Sequence, residues 1–171
     1  IMKLYKSYRS TFEITDFSQR IQTNHELEPI IRHGEPPAIL RFEDVKQEIL
    51  GIFSIISSFK KSGYTSLGIV CKTETQAREL SESLRVHTGD IHFLSNQSSA
   101  FMKGIIVTSS HMAKGLEFDE VIVPYVNAKN YNSAIDKSML YVAVTRAMHR
   151  LTLTYNGRPS EFIPASSDQN F

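Results

Sequence analysis

The chain has 171 residues, 41% hydrophobic and 22% charged, the balance of a soluble globular protein long enough to bury a sizeable core. Lysines and arginines number 19 against 18 aspartates and glutamates, a net charge of +1, so no global basic field exists and any contact with nucleic acid has to be local. The lone cysteine, Cys71, excludes an internal disulfide and a cysteine-rich zinc site, and with no apolar run near the ~20 residues of a membrane span and no signal-peptide pattern, a cytoplasmic protein without membrane attachment is expected.

Ile1-Met2-Lys3-Leu4 leads straight into a motif-like stretch, as expected of a piece of a longer protein. Thr11–Asn24 then places Phe12, Ile14, Phe17 and Ile21 near helical spacing and predicts a helix. A loop at Arg32–Pro37 ends in Pro36-Pro37, which forces an extended entry into a strand at Ala38–Phe42. Glu43–Ser62 carries Val45, Ile49, Ile52, Phe53 and Ile56 at helical spacing, with Gly63 as a stop. A strand follows at Leu67–Cys71, in which Cys71 reads as a small buried hydrophobe. The next helix, Thr73–Arg85, opens with Thr73 as N-cap and Gln76 three residues on, and repeats apolar character at Ala77, Leu80 and Leu84. His87–Ala100 reads as a loop. Strands are predicted at Gly104–Thr108 and Val121–Tyr125, whose continuous apolar runs suit strands covered on both faces. A loop at Asn127–Asn132, a long helix at Ser133–His149, a strand at Leu151–Tyr155 and a short turn at Pro159–Ile163 complete the pattern. On that helix His149 and Arg150 are expected at the end, where cations suit its dipole. Alternating strands and helices predict an α/β fold, a parallel sheet with helices on both faces, over 1–164, with a frayed polar tail at 165–171.

Two stretches carry chemistry. In Ser109-Ser110-His111-Met112-Ala113-Lys114-Gly115-Leu116-Glu117-Phe118-Asp119, between two predicted core strands, Ser109, Ser110 and His111 offer hydrogen bonds to phosphate and Lys114 adds a point charge. Gly115 allows close backbone approach or positive φ, Glu117 can accept from a ribose hydroxyl, and Asp119 can cap backbone amides. Loops after parallel strands are where α/β sheets place their sites, so the carboxyl end of the strand is the expected location. In Leu140-Tyr141-Val142-Ala143-Val144-Thr145-Arg146-Ala147, Tyr141 and Thr145 share a helix face at i and i+4, and Arg146 is offset by about 100°. Its planar fork suits phosphate. Read without context, the first stretch is a polar loop and Arg146 a solvated helix arginine.

Together the two stretches change that reading. The first resembles T-x-H-x-x-K-G-L-E-F, motif V of the UvrD/Rep-like superfamily 1 helicases, with Ser109 in place of the threonine. The second resembles motif VI, Y-V-A-x-T-R-A, and Leu4-Tyr5-Lys6-Ser7-Tyr8-Arg9-Ser10-Thr11 resembles motif IV, L-x-x-N-Y-R-S, with Ser7 in place of the asparagine. The resemblance implies a RecA-like C-terminal (2A) domain. It implies that Tyr8 stacks on adenine, that Arg9 and Arg146 contact the γ-phosphate as catalytic arginines, and that Gly115 and Glu117 face the nucleotide. Ser109 and His111 are implied to face single-stranded DNA, with Lys114, Tyr141 and Thr145 as further nucleic-acid contacts. Upstream of motif VI the family often carries acidic and arginine residues where this chain has Asp136, Lys137, Ser138 and Met139, which leaves the cap of that helix open.

No G-x-x-x-x-G-K-[ST] and no strand ending in Asp-Glu occurs, so the P-loop and the ligands of Mg²⁺ for the implied ATP are expected in an N-terminal RecA-like partner domain. UvrD and Rep interrupt 2A ahead of motif V with a large subdomain. Here only His87–Ala100 stands there. With the Ser7-Tyr8-Arg9-Ser10-Thr11 wording and Arg32-His33-Gly34-Glu35, this resembles the helicase IV-like and HelD-type branch. The implied function is an ATP-driven DNA helicase or translocase. The alternatives are an ATP-driven remodeller of RNA polymerase and a degenerate binding domain. His25, His33, His87 and His92 lack metal-ligand spacing and read as loop residues, and Ser57 and Ser58 have no neighbouring base for nucleophilic catalysis.

Overall fold

The computed structural model describes residues 10–23, 32–95 and 103–164. Eleven elements follow in order: α1 (Phe12–Ile21), β1 (Ala38–Phe42), α2 (Val45–Lys60), β2 (Ser66–Cys71), α3 (Glu74–Arg85), β3 (Ile91–Phe93), β4 (Gly104–Ser109), α4 (Ser110–Ala113), β5 (Phe118–Val123), α5 (Ala134–Val144) and β6 (Ala147–Asn156). The strands form one six-stranded sheet in the order β1-β6-β5-β2-β4-β3, and every pairing is parallel.

Alternation along the central strands sends side chains to two cores. Leu67, Ile69 and Cys71 of β2, Ile105 and Val107 of β4 and Ile122 of β5 join Ile52, Ile56 and Phe59 of α2 and Leu80 and Leu84 of α3. Val70, Ile106, Val121, Val123, Leu151 and Leu153 face the other way, against Ile14, Phe17 and Ile21 of α1 and Leu140, Ala143 and Val144 of α5. Each fully buried aliphatic side chain contributes about 1.5–3 kcal/mol over its exposed state, and the central strands are buried on both faces because each of these helices presents an apolar stripe. Cys71 is one of these core residues, fully buried, and burial pushes its thiol pKa up, as suits an inert cysteine. Gly68 is needed where it stands: a Cβ there would lie 2.4 Å from the Phe118 ring, which packs across β2.

The helix starts follow their caps. Thr11, Asp44, Thr73 and Ser133 each accept from a backbone N–H in the first turn. The start of α5 is settled by a full capping box between Ser133 and Asp136. Several boundaries differ from the sequence reading. The expected helix Ser133–His149 stops at Val144, the chain turns at Thr145-Arg146, and β6 begins at Ala147, four residues before the expected strand. Ala147 pairs with Phe118, so strand pairing overrides the helical spacing of Ala143 and Ala147. His149 and Arg150 therefore lie on a strand, not at a helix end, and the dipole reading does not hold. Arg150 instead lies over the Tyr64 ring, with His149 stacked on the same ring. The predicted loop after α3 contains β3, too short to show periodicity.

Candidate functional site

Arg146 sits in the turn between α5 and β6, and its side chain folds back over motif V. Nε donates to Val142 O at 3.1 Å, one terminal nitrogen to Leu116 O at 3.2 Å, and the other to Thr145 Oγ1 at 3.2 Å. A guanidinium has five N–H donors. These three bonds leave one donor on each terminal nitrogen, the pair that grips two oxygens of a phosphate side by side. Burial pulls the Arg146 pKa below the ordinary arginine value, while the charges of Glu117 and Tyr141 push it back up. The backbone is tied as well: Phe118 N donates to Arg146 O at 2.9 Å. A bound anion here would meet a positive charge that is already oriented and partly stripped of water.

Motif IV ends at the same place. Ser10 Oγ donates to Ala147 O at 2.8 Å, and Thr11 N donates to Met148 O at 3.2 Å. Ser10 and Thr11 are buried, and Thr11 caps α1. The ends of all three motif segments thus converge where β5 and β6 begin. Tyr8 and Arg9 lie outside the described residues.

The convergence is at the amino ends of β5 and β6, whereas the motif V loop leaves β4 at its carboxyl end, as expected of that loop. Motif V itself runs from one edge to the other. It starts at Ser109, the last residue of β4, makes one turn as α4, and returns through Lys114–Glu117 to Phe118, the first residue of β5. The two edges are about six residues of strand apart, or ~20 Å. Ser109 and His111 stand at the carboxyl edge. Gly115, Glu117, Tyr141, Thr145 and Arg146 stand at the amino edge, with Lys114 exposed between them.

The local roles of these residues are now readable. Ser109 is buried, and its Oγ accepts from Met112 N as the cap of α4. Ser110 is buried and donates to Cys71 O and Met139 O, pinning α4 to β2 and α5. His111 is exposed. Gly115 has φ +84° with open space where a Cβ would go, so conformation rather than crowding selects glycine. Asp119 accepts from Thr65 N at 2.8 Å, tying β5 to the start of β2.

Sequence reasoning missed the groups that hold this frame. Lys72, just beyond β2, donates to Asn130 O at 2.6 Å and to Asp136 Oδ1 at 2.9 Å. Asp136 also accepts from Asn132 N and Ser133 N. Burial raises its pKa, but these bonds and the Lys72 charge outweigh burial and hold it at about 2. Glu48, fully buried in α2, accepts from Tyr125 N at 2.9 Å, Thr154 Oγ1 at 2.6 Å and Asn156 Nδ2 at 2.7 Å. It thereby holds Tyr125, a non-glycine residue at φ +62°, in place. The ties made by Lys72 and by Glu48 each span more than fifty residues of sequence. The only local sign was an acidic residue interrupting the apolar stripe of α2.

A parallel six-stranded sheet with helices on both faces, carrying these motif segments between β4 and β6, is the RecA-like C-terminal domain fold of helicases. Residues 104–154 match the UvrD-like helicase C-terminal domain family. Over nearly its whole length the chain is similar to the C-terminal domain of a possible DNA helicase from Lactobacillus plantarum WCFS1, with a TM-score of 0.78, 29% identity and 92% of each chain covered. Arterivirus nonstructural protein 10 (helicase) is a more distant likeness in its DNA complex and alone, with a TM-score of 0.49 and 14% identity in each, over 75% and 76% of this chain and 32% and 31% of theirs. No curated protein matches in sequence. Among the described residues no helix is long and apolar enough to cross a membrane.

Proposed function

We propose that this domain is the second motor domain of an ATP-dependent DNA helicase or translocase, and that ATP lies between its amino edge and an N-terminal RecA-like domain of the same protein. The observation that carries the reading is the fixing of Arg146 at the junction of the three motif segments, with two N–H donors unused. When the domains close, Arg146 meets the γ-phosphate and stabilises charge in the phosphoryl-transfer transition state. Arg9 joins it, Tyr8 stacks on the adenine, and Gly115 and Glu117 line the ribose side. The ligands of Mg²⁺ belong to the N-terminal domain. Hydrolysis removes the charge that held the domains together, and the cleft opens.

The grip on single-stranded DNA falls to the other end of the same strap. His111 stands exposed at the carboxyl edge, while Ser109 acts there by holding α4 in place. Lys114, Tyr141 and Thr145 extend the contact along the crossover, and Thr145 Oγ1 also accepts from Arg146. Support for coupling comes from Leu116, whose carbonyl takes a bond from Arg146 seven residues along the chain from the Ser109 cap. The helicase IV-like and HelD-type branch is favoured by the short passage from α3 to β4, and a remodeller of RNA polymerase within that branch would use the same motor.

The test is DNA-stimulated ATP hydrolysis by the full-length protein beside its Arg146→Ala and Arg146→Lys variants. Arg146→Ala lowers turnover by about 10³-fold or more. Lysine restores little, because it lacks the fork. Near-normal turnover of Arg146→Ala overturns the reading. Turnover with strand displacement on a tailed duplex establishes the helicase, and turnover with polymerase binding but no displacement establishes the remodeller.

A further inference from the structure

The strand that follows Arg146 is irregular at its start. Phe118 of β5 pairs with Ala147 and Glu120 pairs with Arg150, so between these pairs β5 advances two residues while β6 advances three. The extra residue makes a bulge, with Met148 and His149 together opposite Asp119. β1 pairs with β6 only from Thr152 onward. Over the bulge β6 is bonded instead to the end of motif IV: Ala147 O accepts from Ser10 Oγ at 2.8 Å, and Met148 O accepts from Thr11 N at 3.2 Å. Immediately before the bulge, Arg146 O accepts from Phe118 N at 2.9 Å. The bulge therefore joins the backbones of all three motif segments.

The turn between α2 and β2 grips this place from both strands. Successive residues of a regular strand point to opposite faces, yet His149 and Arg150 lie on one ring, that of Tyr64. The His149 ring is stacked on it, centroids 5.4 Å apart and planes 4° from parallel, and the Arg150 guanidinium lies 4.9 Å from its centre. The next two residues of the chain fix the opposing strand. Thr65 N and Ser66 N donate to Asp119 Oδ2 at 2.8 and 3.3 Å, and Asp119 N donates to Ser66 Oγ at 2.9 Å. The free oxygen of that carboxylate, Oδ1, faces His149 Nε2 at 3.9 Å. Tyr64-Thr65-Ser66 thus holds β6 by a side chain and β5 by its backbone, where their register shifts.

We propose that Tyr64 is a positioning residue of the motor, clamping the β6 bulge so that Arg146 and the end of motif IV keep one register against motif V. This rests on the placement of ATP at the amino edge. A bulge always has a competing pairing one residue away, and slipping into it would carry Arg146 along by one strand residue, ~3.3 Å. A misplacement of ~1 Å at a reacting group already costs about 10²-fold in rate. The clamp acts through a flat face, because His149 stacks on it and Arg150 lies over it. Phenylalanine keeps that face, and leucine fills the space without it.

The experiment measures dissociation constants of the full-length protein, DNA present, for ADP and for ADP with aluminium fluoride, which mimics the phosphoryl group in transit. Wild type is compared with Tyr64→Phe, Tyr64→Leu, His149→Ala and Arg146→Ala. The quantity read is the gain in affinity from ADP to the mimic, which does not depend on how much of each preparation is folded. Tyr64→Leu is expected to lose about 10- to 100-fold of that gain with its affinity for ADP unchanged. Tyr64→Phe should retain the gain, and His149→Ala, which removes half of the clamp, should lose part of it. A merely structural role would weaken ADP and the mimic together and leave the gain intact, and that result overturns the proposal. So does a loss in Tyr64→Phe equal to that in Tyr64→Leu. If Arg146→Ala loses the gain while Tyr64→Leu keeps it, the clamp falls and the motor reading stands. If Arg146→Ala keeps the gain, both fall.

Discussion

Glu120 offers the most exacting test of how this fold treats charge near its junction. It lies on β5, 1% exposed, with Arg150 as a cationic neighbour at 3.5 Å, a long contact that Arg150 shares with the exposed Glu35. Burial dominates and raises its pKa, Arg150 lowers it, and Glu35 raises it, leaving the carboxyl at about 7 against 4.5 for an ordinary glutamate. Between those values the unfolded chain has released a proton that the folded chain keeps. The stability Glu120 contributes is therefore fully present below pH 4.5 and is lost as pH rises through about 7. The displacement from 4.5 to about 7, at ~1.4 kcal/mol per pH unit, amounts to up to about 3 kcal/mol. Glu120→Gln keeps the shape and cannot ionise, so it escapes this loss. Urea unfolding of both proteins across the pH range 5 to 8 should show the variant gaining on wild type by about 2–3 kcal/mol toward the alkaline end. Comparing two proteins cancels every other titrating group. Parallel stability curves would refute the claim that Glu120 is buried at an energetic cost.

Other perturbations test the frame around the site. Glu48→Ala leaves three donors facing a cavity and should cost about 4 kcal/mol in urea unfolding, with Glu48→Gln costing roughly half, because its amide oxygen still accepts from Tyr125 N and Thr154 Oγ1. Gly68→Ala drives a methyl into the buried Phe118 ring and should destabilise by about 2–3 kcal/mol, visible as a lowered melting temperature. Asp136, held at about 2 against 3.8 for an ordinary aspartate, contributes stability that is present above pH 3.8 and lost as pH falls toward 2. Asp136→Ala should therefore flatten the acid limb of the unfolding curve as well as weaken the α5 cap.

The parts of the fold legible in sequence are those decided locally. β1 matches its expected bounds, and the cores of β2, β4 and β5 lie where continuous apolar runs predicted strands. The cap at Thr73 and the three-residue spacing to Gln76 appear as a real bond at 3.1 Å. What failed was decided at a distance. The α5–β6 boundary depends on Ala147 finding Phe118, and a helical reading of Ala143 and Ala147 cannot anticipate that pairing. At the site, local backbone demands were legible and long-range placement was not. Gly115 was expected to allow positive φ and has it, and the motif V loop leaves β4 at its carboxyl end as expected, while the position of Arg146 at the opposite edge depends on where β5 and β6 begin. Ser109 and Ser110 looked like phosphate donors in sequence. Their burial shows hydroxyls engaged with the protein's own backbone.

On the proposed reading, that backbone engagement bears on how the domain transmits force. α5 is anchored near its start, where Lys72 ties Asp136 to the end of β2, and at its middle, where Ser110 donates to Met139 O. Its last turn and the Arg146 side chain close over Leu116. Motif V is thus stitched to α5 at both ends of the crossover, by Ser110 at the carboxyl edge and by Leu116 at the amino edge. Two packed elements joined at two points resist shear between them, and close-packed interiors shift in discrete steps rather than deform continuously. On the proposed reading, a strand held at His111 and a phosphate held at Arg146 therefore act on one rigid unit, so that closing the cleft by way of Arg146 has to carry His111 with it. Ser110→Ala, which removes one stitch without touching either ligand, should lower the stimulation of hydrolysis by DNA more than it lowers the basal rate. Equal loss of both would place the transmission elsewhere in the domain.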